Sequence, residues 1–391
     1  MKIAILTAGV LPVPAIQGGA VETLVDFCLE YNDKYHLHDI TVYSIAHPAI
    51  KKHPALQSRN NHYYYINISS WIAKIKKRLY LYKHGREEYY HYSVEYFFHE
   101  ASKHISRHHY DTIIIENRPA FALKLQRETK ARLVLHQGND YLNSNLHGYS
   151  EIYKKYSRII NTSDYLTQRV LTIAPNDTKC HTVFNGIDTQ RFYKATAMSR
   201  NKVGLGDNDF VIVFSGRLTP EKGIMELILA IKKIKDVLSC KLLIIGASAY
   251  GRDKYPTPFI QRLKAETEPI KDSVVYTGFV DYTEIPSYLK TADVAVVPSI
   301  WDEPFGLTVV EAMAAGLPLI TTRSGGIPEI CEGVATIVER ENFVDNLTKA
   351  ILDLYNHPGK REQMSKASLE RSKLFDKETY AKNFFAALEA L

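Results

Sequence analysis

The strand–turn–helix pattern that decides the fold is clearest in one segment, Glu303-Pro304-Phe305-Gly306-Leu307-Thr308-Val309-Val310-Glu311. It follows the apolar run 294–298, which is typical of a buried parallel strand. Pro and Gly predict a turn, and the apolar residues after them predict a helix. The first amides of that helix, at 306–308, are free to bind phosphate or sugar oxygens. Glu303 would lie in the turn and Glu311 on the ligand side of the helix, although two surface glutamates around a helix cap fit the pattern equally well.

The same alternation of apolar runs and helical stripes extends over the whole chain. A first helix is predicted from a stripe with i, i+3, i+4, i+7 spacing, Val21, Leu24, Val25, Cys28 and Leu29. Strands are predicted in the first half at 2–7, 40–45, 112–115, 133–135, 159–161 and 182–184. The pattern restarts near residue 201, with strands predicted at 210–214, 241–246, 274–277, 294–298, 318–321 and 335–338. The sequence therefore predicts an α/β protein with two parallel sheets, connected by residues 188–209.

Composition excludes several classes of protein. With 391 residues, 45% hydrophobic and 24% charged, the chain is long enough for two globular domains and unlike a disordered or collagenous one. The four cysteines are far apart and lie in no pattern with ligand spacing, so we expect a reducing compartment and no structural zinc. No apolar stretch is long enough to span a bilayer. Residues 1–20 resemble a secretory signal, but Pro12, Pro14 and the Gly18-Gly19 pair interrupt it, and we expect a cytoplasmic protein that keeps this segment.

The positive charge is concentrated in the first half. Residues 1–195 carry a net charge of +8, although the whole chain carries +6. Within this half, residues 51–110 combine 11 Lys and Arg with ten Tyr and eight His. A nucleic-acid patch, a membrane-facing patch and a plain aromatic surface are all compatible with that composition.

Residues 70–82 predict an amphipathic helix within this basic region. Its apolar side would carry Trp71, Ile72, Ile75, Leu79 and Tyr82, and its other side Lys74, Lys76, Lys77 and Arg78. Such a helix suits the interface of an anionic membrane. Packing of the same stripe against the sheet of its own domain is the alternative.

Three further elements predict ligand contacts. Ser215-Gly216-Arg217 ends the first strand of the second half and is followed by Lys222-Gly223. The planar guanidinium of Arg and the flexible ammonium group of Lys together suit the binding of a diphosphate. Gly18-Gly19 precedes the first helix and permits close approach of the backbone to a ligand. His136 follows a strand at the carboxyl edge of the sheet, where open α/β sheets bind ligands. Solvated loop cations and an ordinary histidine remain the alternatives.

In combination, these motifs closely resemble glycosyltransferase family 4, the retaining enzymes of GT-B architecture. The resemblance rests on the spaced Glu303 and Glu311, on Ser215-Gly216-Arg217 with Lys222-Gly223, on Asn185-Gly186-Ile187-Asp188 and on Gly18-Gly19. It implies two Rossmann-like domains that face each other across a cleft. The acceptor-binding domain would comprise residues 1–192 with the C-terminal helix 376–391, and the nucleotide-sugar domain residues 193–375.

The resemblance also implies the residue roles. Arg217, Lys222, Glu303 and His136 would be the catalytic residues, with the two cations in place of a metal ion. The nucleotide sugar would be bound by Gly18, Gly19, Asn185, Ser215, Gly216, Gly278, Phe279, Val280, Phe305, Gly306, Leu307, Thr308 and Glu311. We expect neither a metal nor another cofactor.

The function predicted on this basis is metal-independent, retaining transfer of a hexose-type sugar, with UDP as the expected nucleotide. The acceptor would be a saccharide or lipid-linked saccharide of a bacterial cell-surface polysaccharide, reached from the cytoplasm or the inner face of the plasma membrane. No nucleic acid is expected as a partner. A nucleotide-sugar epimerase and a polyanion-binding module are the rival hypotheses.

Overall fold

The computed structural model describes residues 1–84, 92–125, 129–247 and 257–389. The chain divides into two compact units. The first comprises Met1–Asn185 and Glu378–Leu391, and the second comprises Gly186–Lys377.

The first unit is a parallel sheet with helices on both faces. Its strands are β1 (Lys2–Leu6), β2 (Asp39–Ile45), β3 (Asn61–Ile66), β4 (Thr112–Glu116), β5 (Arg132–Gln137), β6 (Arg158–Asn161) and β7 (Cys180–Thr182). Its helices are α1 (Ala20–Tyr35), α2 (Trp71–His84), α3 (Tyr92–Ile105), α4 (Ala122–Leu125), α5 (Tyr149–Lys154) and α6 (Asp164–Leu171). The strand order is β3-β2-β1-β4-β5-β6-β7, and each neighbouring pair is parallel.

The second unit repeats this architecture with six strands. They are β8 (Phe210–Ser215), β9 (Cys240–Ile245), β10 (Val274–Gly278), β11 (Val294–Val297), β12 (Leu319–Thr322) and β13 (Thr336–Val338). Its helices are α7 (Thr189–Lys194), α8 (Ile224–Ile234), α9 (Pro258–Thr267), α10 (Ile285–Leu289), α11 (Leu307–Ala314), α12 (Ile327–Cys331), α13 (Phe343–Asn356) and α14 (Pro358–Ser372). The strand order is β10-β9-β8-β11-β12-β13, again with parallel pairs.

The last helix, α15 (Lys377–Glu389), belongs to the first unit. Its buried Tyr380, Phe384 and Phe385 pack in the same core as strands β1, β2 and β4. Burying three aromatic side chains stabilises this attachment strongly. Residues 390–391 of the predicted helix lie outside the described residues.

The α/β fold with two parallel sheets is confirmed, and several local predictions are wrong. Residues 188–209 are not a plain connection, because they contain helix α7 and a short 3₁₀ helix, Arg200–Val203. Helix α7 packs against α10 and α11, and its Phe192 is fully buried, so the second unit begins at Gly186 instead of residue 193. The strand predicted at 182–184 lies at Cys180–Thr182, and strand β3 was not predicted.

Candidate functional site

The candidate site of the second unit lies at the carboxyl edge of its sheet. The strand order changes direction between β8 and β11, and ligands bind open α/β sheets at such a switch point. The loops after these two strands carry the predicted motifs, Ser215-Gly216-Arg217 after β8 and Glu303 after β11. The fold therefore brings both motifs to one place.

A buried ion pair connects the two loops. The Nζ of Lys222 lies 2.5 Å from Oε1 of Glu303, a carboxylate that is almost fully buried. The same Oε1 accepts a hydrogen bond of 2.7 Å from the hydroxyl of Ser299. Charge-assisted hydrogen bonds of this kind are the strong ones in proteins, so the two loops are held in one arrangement.

Close backbone contacts support this arrangement on both sides. Gly223 has φ +68°, and a Cβ there would collide with the carbonyl oxygen of Pro298. Gly325 has φ +54°, and a Cβ there would collide with the backbone of Glu303, whose carbonyl accepts the amide of Gly326 at 2.8 Å. Glycine is required at both positions, because the neighbouring backbone occupies the space of a side chain.

Helix α11 begins next to Glu303. Gly306 caps it with φ +114°, so the first amides of the helix, including those of Leu307 and Thr308, point out of its N-terminus. Phe305 is buried, and its ring packs edge-on against Phe375, with the centroids 5.9 Å apart. The side chain of Phe305 therefore anchors the turn, which leaves only its backbone for ligand contact.

Glu311 lies on α11 in an apolar environment. Its side chain is buried, and burial raises the pKa of its carboxyl to about 7. The hydroxyl of Tyr282 donates a hydrogen bond to it, and the guanidinium of Arg191 lies 5.6 Å from the Tyr282 ring centroid. A buried carboxylate with a single described donor is suited to accept further hydrogen bonds from a ligand.

Arg217 and Trp301 are the more exposed members of this edge. The guanidinium of Arg217 lies 3.7 Å from Glu221, and its side chain is 47% exposed. The Trp301 ring centroid lies 5.9 Å from the Nζ of Lys222. Arg340 holds the turn on both sides of Trp301, because it donates to the Ile300 carbonyl and to the Asp302 carboxylate.

The other predicted residues of this unit lie on neighbouring strands of the same edge. The carbonyl of Gly278, at the end of β10, accepts the amide of Gly246 at 3.0 Å, and Gly216 donates its amide to Ile245. Phe279 is 55% exposed, whereas Val280 is buried. Sequence reasoning did not find Ser299, Tyr282 or Trp301, since none of them belongs to a motif and each is identified only by its contacts.

The remaining predicted residues belong to the first unit. Its strand order changes direction between β1 and β4, and Gly18 and Gly19 lie in the loop after β1. The Nδ1 of His136 lies 2.8 Å from Glu116, and both side chains are buried. The Nε2 of His136 and the Oδ1 of Asn185 are buried polar atoms with no hydrogen-bond partner among the described residues. His136 thus contacts protein groups in this conformation, including the Phe384 ring at 5.0 Å between centroids.

Within the part of the chain that the structure describes, no cluster of three His, Cys, Asp or Glu side chains could hold a metal ion.

Comparison with known families identifies the second unit. Residues 196–371 match the family described as "Glycosyl transferases group 1". This match identifies residues 196–371 as a domain of the glycosyl transferases group 1. The match covers Arg217, Lys222, Glu303 and Glu311, so the ion pair and the helix terminus described above lie inside the group 1 domain.

Sequence relatives extend the similarity beyond this domain. The chain is 26% identical over 366 residues to the "Putative glycosyltransferase YtcC" of Bacillus subtilis, covering 90% of this chain and 82% of the relative. It is 32% identical over 193 residues to a "GDP-mannose-dependent alpha-(1-6)-phosphatidylinositol monomannoside mannosyltransferase" of Mycolicibacterium smegmatis. This match covers 46% of this chain and 48% of the relative. Both relatives are named as glycosyltransferases.

A solved structure shows the same fold over the entire length. The crystal structure of HepE from Anabaena in complex with UDP-glucose superposes with a TM-score of 0.74 and covers 100% of both chains at 19% identity. At this identity the likeness shows the fold alone, and it confirms the predicted GT-B architecture.

We predict that Glu311→Gln stabilises the ligand-free protein above neutral pH. Burial raises the pKa of this carboxyl from 4.5 to about 7, so the folded state binds a proton more tightly than the unfolded state. Stability is therefore unaffected below about pH 4.5, falls as the pH rises towards 7, and stays reduced above it. This shift in pKa corresponds to a loss of at most about 3 kcal/mol in the free energy of unfolding above neutral pH.

Thermal unfolding of wild type and Glu311→Gln at pH 5 and pH 8 measures this effect, with the exposed Glu341→Gln as the control. We expect a higher Tm for Glu311→Gln at pH 8 and a much smaller difference at pH 5. An equal Tm for the two proteins at pH 8 would contradict the prediction.

Proposed function

We propose that this protein is a retaining glycosyltransferase that moves a hexose-type sugar from UDP to a saccharide or lipid-linked saccharide. The observation that carries the proposal is the Lys222–Glu303 ion pair, 2.5 Å long and next to the N-terminus of α11. A cation, a carboxylate and free helix amides are the groups needed to bind a diphosphate and a neutral sugar side by side.

Each group of the second unit has a role in binding the donor. Arg217 and Lys222 neutralise the diphosphate, whose charge increases as the glycosidic bond breaks. Glu303 and the amides of Phe305, Gly306, Leu307 and Thr308 hold the sugar hydroxyls. Glu311 accepts hydrogen bonds from the ribose, and the backbone of Gly278, Phe279 and Val280, with Ser215 and Gly216, contacts the base and phosphates.

The first unit supplies the acceptor side of the reaction. We assign Gly18, Gly19 and Asn185 to contact with the nucleotide sugar and His136 to a hydrogen bond with a sugar hydroxyl or the departing oxygen. The bond from the anomeric carbon to the phosphate oxygen breaks, and a bond to the acceptor oxygen forms on the same face. The proton of the acceptor hydroxyl passes to the departing diphosphate, so no enzyme nucleophile is needed.

Assaying a panel of UDP, GDP and ADP sugars tests the donor assignment. The protein is incubated with each donor and with saccharide and lipid-linked acceptors, and products are identified by mass spectrometry. We expect the largest release of nucleotide with a UDP-hexose. The crystal structure of HepE, which has the same fold, contains a donor of this class, UDP-glucose. Preference for GDP-mannose would move the assignment towards the mannosyltransferase relative, and isomerised donor without transfer would indicate an epimerase.

We predict that Arg217→Ala and Lys222→Ala each lower kcat. Lys222→Ala should also lower the Tm, because it leaves the buried Glu303 carboxylate without its cation. Loss of one fixed charge from the site costs roughly 2.7–4 kcal/mol of transition-state stabilisation, or about 10²–10³ in rate. Steady-state kinetics with the preferred donor measures the effect. Lys233→Ala, which changes an exposed side chain on α8 of the same unit, is the control. Near-wild-type kcat in either site variant would contradict the assignment.

We predict that transfer continues in excess EDTA. The Arg217 and Lys222 cations stabilise the leaving diphosphate, which is the role a divalent ion has in other transferases. Initial rates are compared in EDTA, in buffer alone and with added Mg²⁺ or Mn²⁺. Loss of transfer in EDTA that is reversed by either ion would show that the two cations are insufficient.

We further propose that helix α2 docks the protein on an anionic membrane that holds a lipid-linked acceptor. Trp71, Ile72, Ile75, Leu79 and Tyr82 are all exposed, by 43–90% of their surface, so the stripe does not pack against the sheet of its own unit. Lys74, Lys77 and Arg78 are exposed on the same helix, while Lys76 is paired with Glu100 of α3 at 2.9 Å. Exposed apolar and basic side chains together suit an interfacial helix. No helix among the described residues is long and apolar enough to span a membrane.

Co-sedimentation with phosphatidylglycerol vesicles tests the docking. Each of the three exposed cations contributes about 1 kcal/mol near anionic lipid, so we expect wild type to pellet at low salt and to be released at high salt. Changing Lys74, Lys77 and Arg78 to Glu should abolish pelleting. The control changes Lys360, Lys366 and Lys373 of the second unit to Glu, which gives the same change in net charge.

Fluorescence separates membrane insertion from polyanion binding. Trp301→Phe leaves Trp71 as the only tryptophan, and its emission should shift to the blue with vesicles but not with heparin. If the wild-type protein stays in the supernatant at low salt, or if the emission of Trp71 does not shift with vesicles, a soluble acceptor becomes the better hypothesis.

A further inference from the structure

The segment that joins β1 to α1 is held by side chains at every second residue. The amide of Leu11 donates to Glu22, the amide of Val13 to Ser44 Oγ at 2.8 Å, and the amide of Ala15 to Asp26 Oδ2 at 2.7 Å. A strand edge has the same spacing of hydrogen bonds, but here the acceptors are side chains. Two of the three acceptors are carboxylates, one turn apart on α1.

Two more contacts hold the segment from the other side. The hydroxyl of Tyr65 donates to the Val13 carbonyl at 3.1 Å, and the side chains of Gln17 and His47 meet at 3.2 Å. The segment is therefore attached to α1, to β2 with the loop that follows it, and to β3. Such a network restricts the backbone up to Gly18 and Gly19.

Glu22 also contacts the Gly18-Gly19 turn itself. Gly19 has φ +106°, and a Cβ there would collide with the Glu22 carboxylate and lie 2.8 Å from Leu11. One carboxylate thus contacts the Cα of the second glycine and accepts the amide of Leu11. The shape of the turn depends directly on where this carboxylate lies.

The charged forms of both carboxyl groups lower the stability of the folded protein, because burial disfavours them. Burial raises the pKa of Glu22 to about 7, and the negative charge of Glu116 adds to the shift. Burial also raises the pKa of Asp26 to about 7, with additional repulsion from Glu30 and Glu22. Residues that lower stability but maintain a local shape are typical of functional loops.

We propose that Glu22 and Asp26 are positioning residues, which hold the Gly18-Gly19 turn in the shape that contacts substrate. This rests on the proposed function, which assigns the turn to substrate contact. The carboxylates do not touch substrate themselves. They act through the amides of Leu11 and Ala15, so any side chain that keeps an acceptor oxygen in the same place can replace them.

The test compares deletion of the acceptor with its conservation. Glu22→Ala and Asp26→Ala should lower kcat roughly 10–100-fold, as expected for a misplaced substrate contact. Glu22→Gln and Asp26→Asn keep an oxygen and should stay within about threefold of wild type. The melting shift produced by UDP should become smaller in the two Ala variants and stay as in wild type in Glu22→Gln and Asp26→Asn. Glu30→Ala, which removes an exposed carboxylate from the same helix, is the control and should leave kcat unchanged.

Amide hydrogen exchange provides a second measurement that does not depend on turnover. Glu22→Ala should accelerate exchange at Leu11, and Asp26→Ala at Ala15, while the Val13 amide stays protected by Ser44. Equal kcat for the Ala and Gln or Asn variants, or unchanged exchange at Leu11 and Ala15, would overturn the proposal. If wild type shows neither a UDP-induced melting shift nor transfer, the proposed function fails instead, and exchange still reports whether the carboxylates hold the turn.

Discussion

Parallel pairing of neighbouring strands throughout both sheets is the constraint on which the rest of the structure depends. In a parallel sheet the segments that follow the strands all emerge at one edge, whatever their separation in sequence. Lys222 and Glu303 are 81 residues apart, yet they meet because β8 and β11 are neighbours. In the first unit the same constraint places Glu116 beside His136, whose strands β4 and β5 pair in register.

How much of this could be predicted depends on the range of the interactions involved. The helix that carries Glu311 follows a strand and a Pro/Gly turn, and these local signals are independent of the rest of the chain. Strand β3 was missed because Asn61-His62-Tyr63-Tyr64-Tyr65-Ile66 contains no run of branched apolar residues, although Tyr side chains suit a pleated sheet. The spacing of apolar residues in α2 predicts an amphipathic helix. It does not predict whether the apolar side faces the protein or solvent, because the spacing is the same in both cases. The place of Ser299 and Tyr282 in the candidate site could not be predicted, because only their tertiary contacts with Glu303 and Glu311 identify them.

Three carboxyl groups, Glu22, Asp26 and Glu311, share an unusual electrostatic setting. Burial raises the pKa of each to about 7. Two of them accept amides of the segment before the Gly18-Gly19 turn in the first unit, and the third lies on helix α11 of the second. Acidic side chains are seldom kept in apolar surroundings unless they accept hydrogen bonds there, and amides or hydroxyl groups supply the donors in all three cases.

The return of α15 to the first unit has a consequence for synthesis on the ribosome. The second unit is one continuous stretch, Gly186–Lys377, and can fold as soon as it has left the exit tunnel. The first unit starts earlier but lacks Tyr380, Phe384 and Phe385 until α15 has been made. Its apolar surface stays uncovered during that interval, so the unit that is translated first is the one completed last.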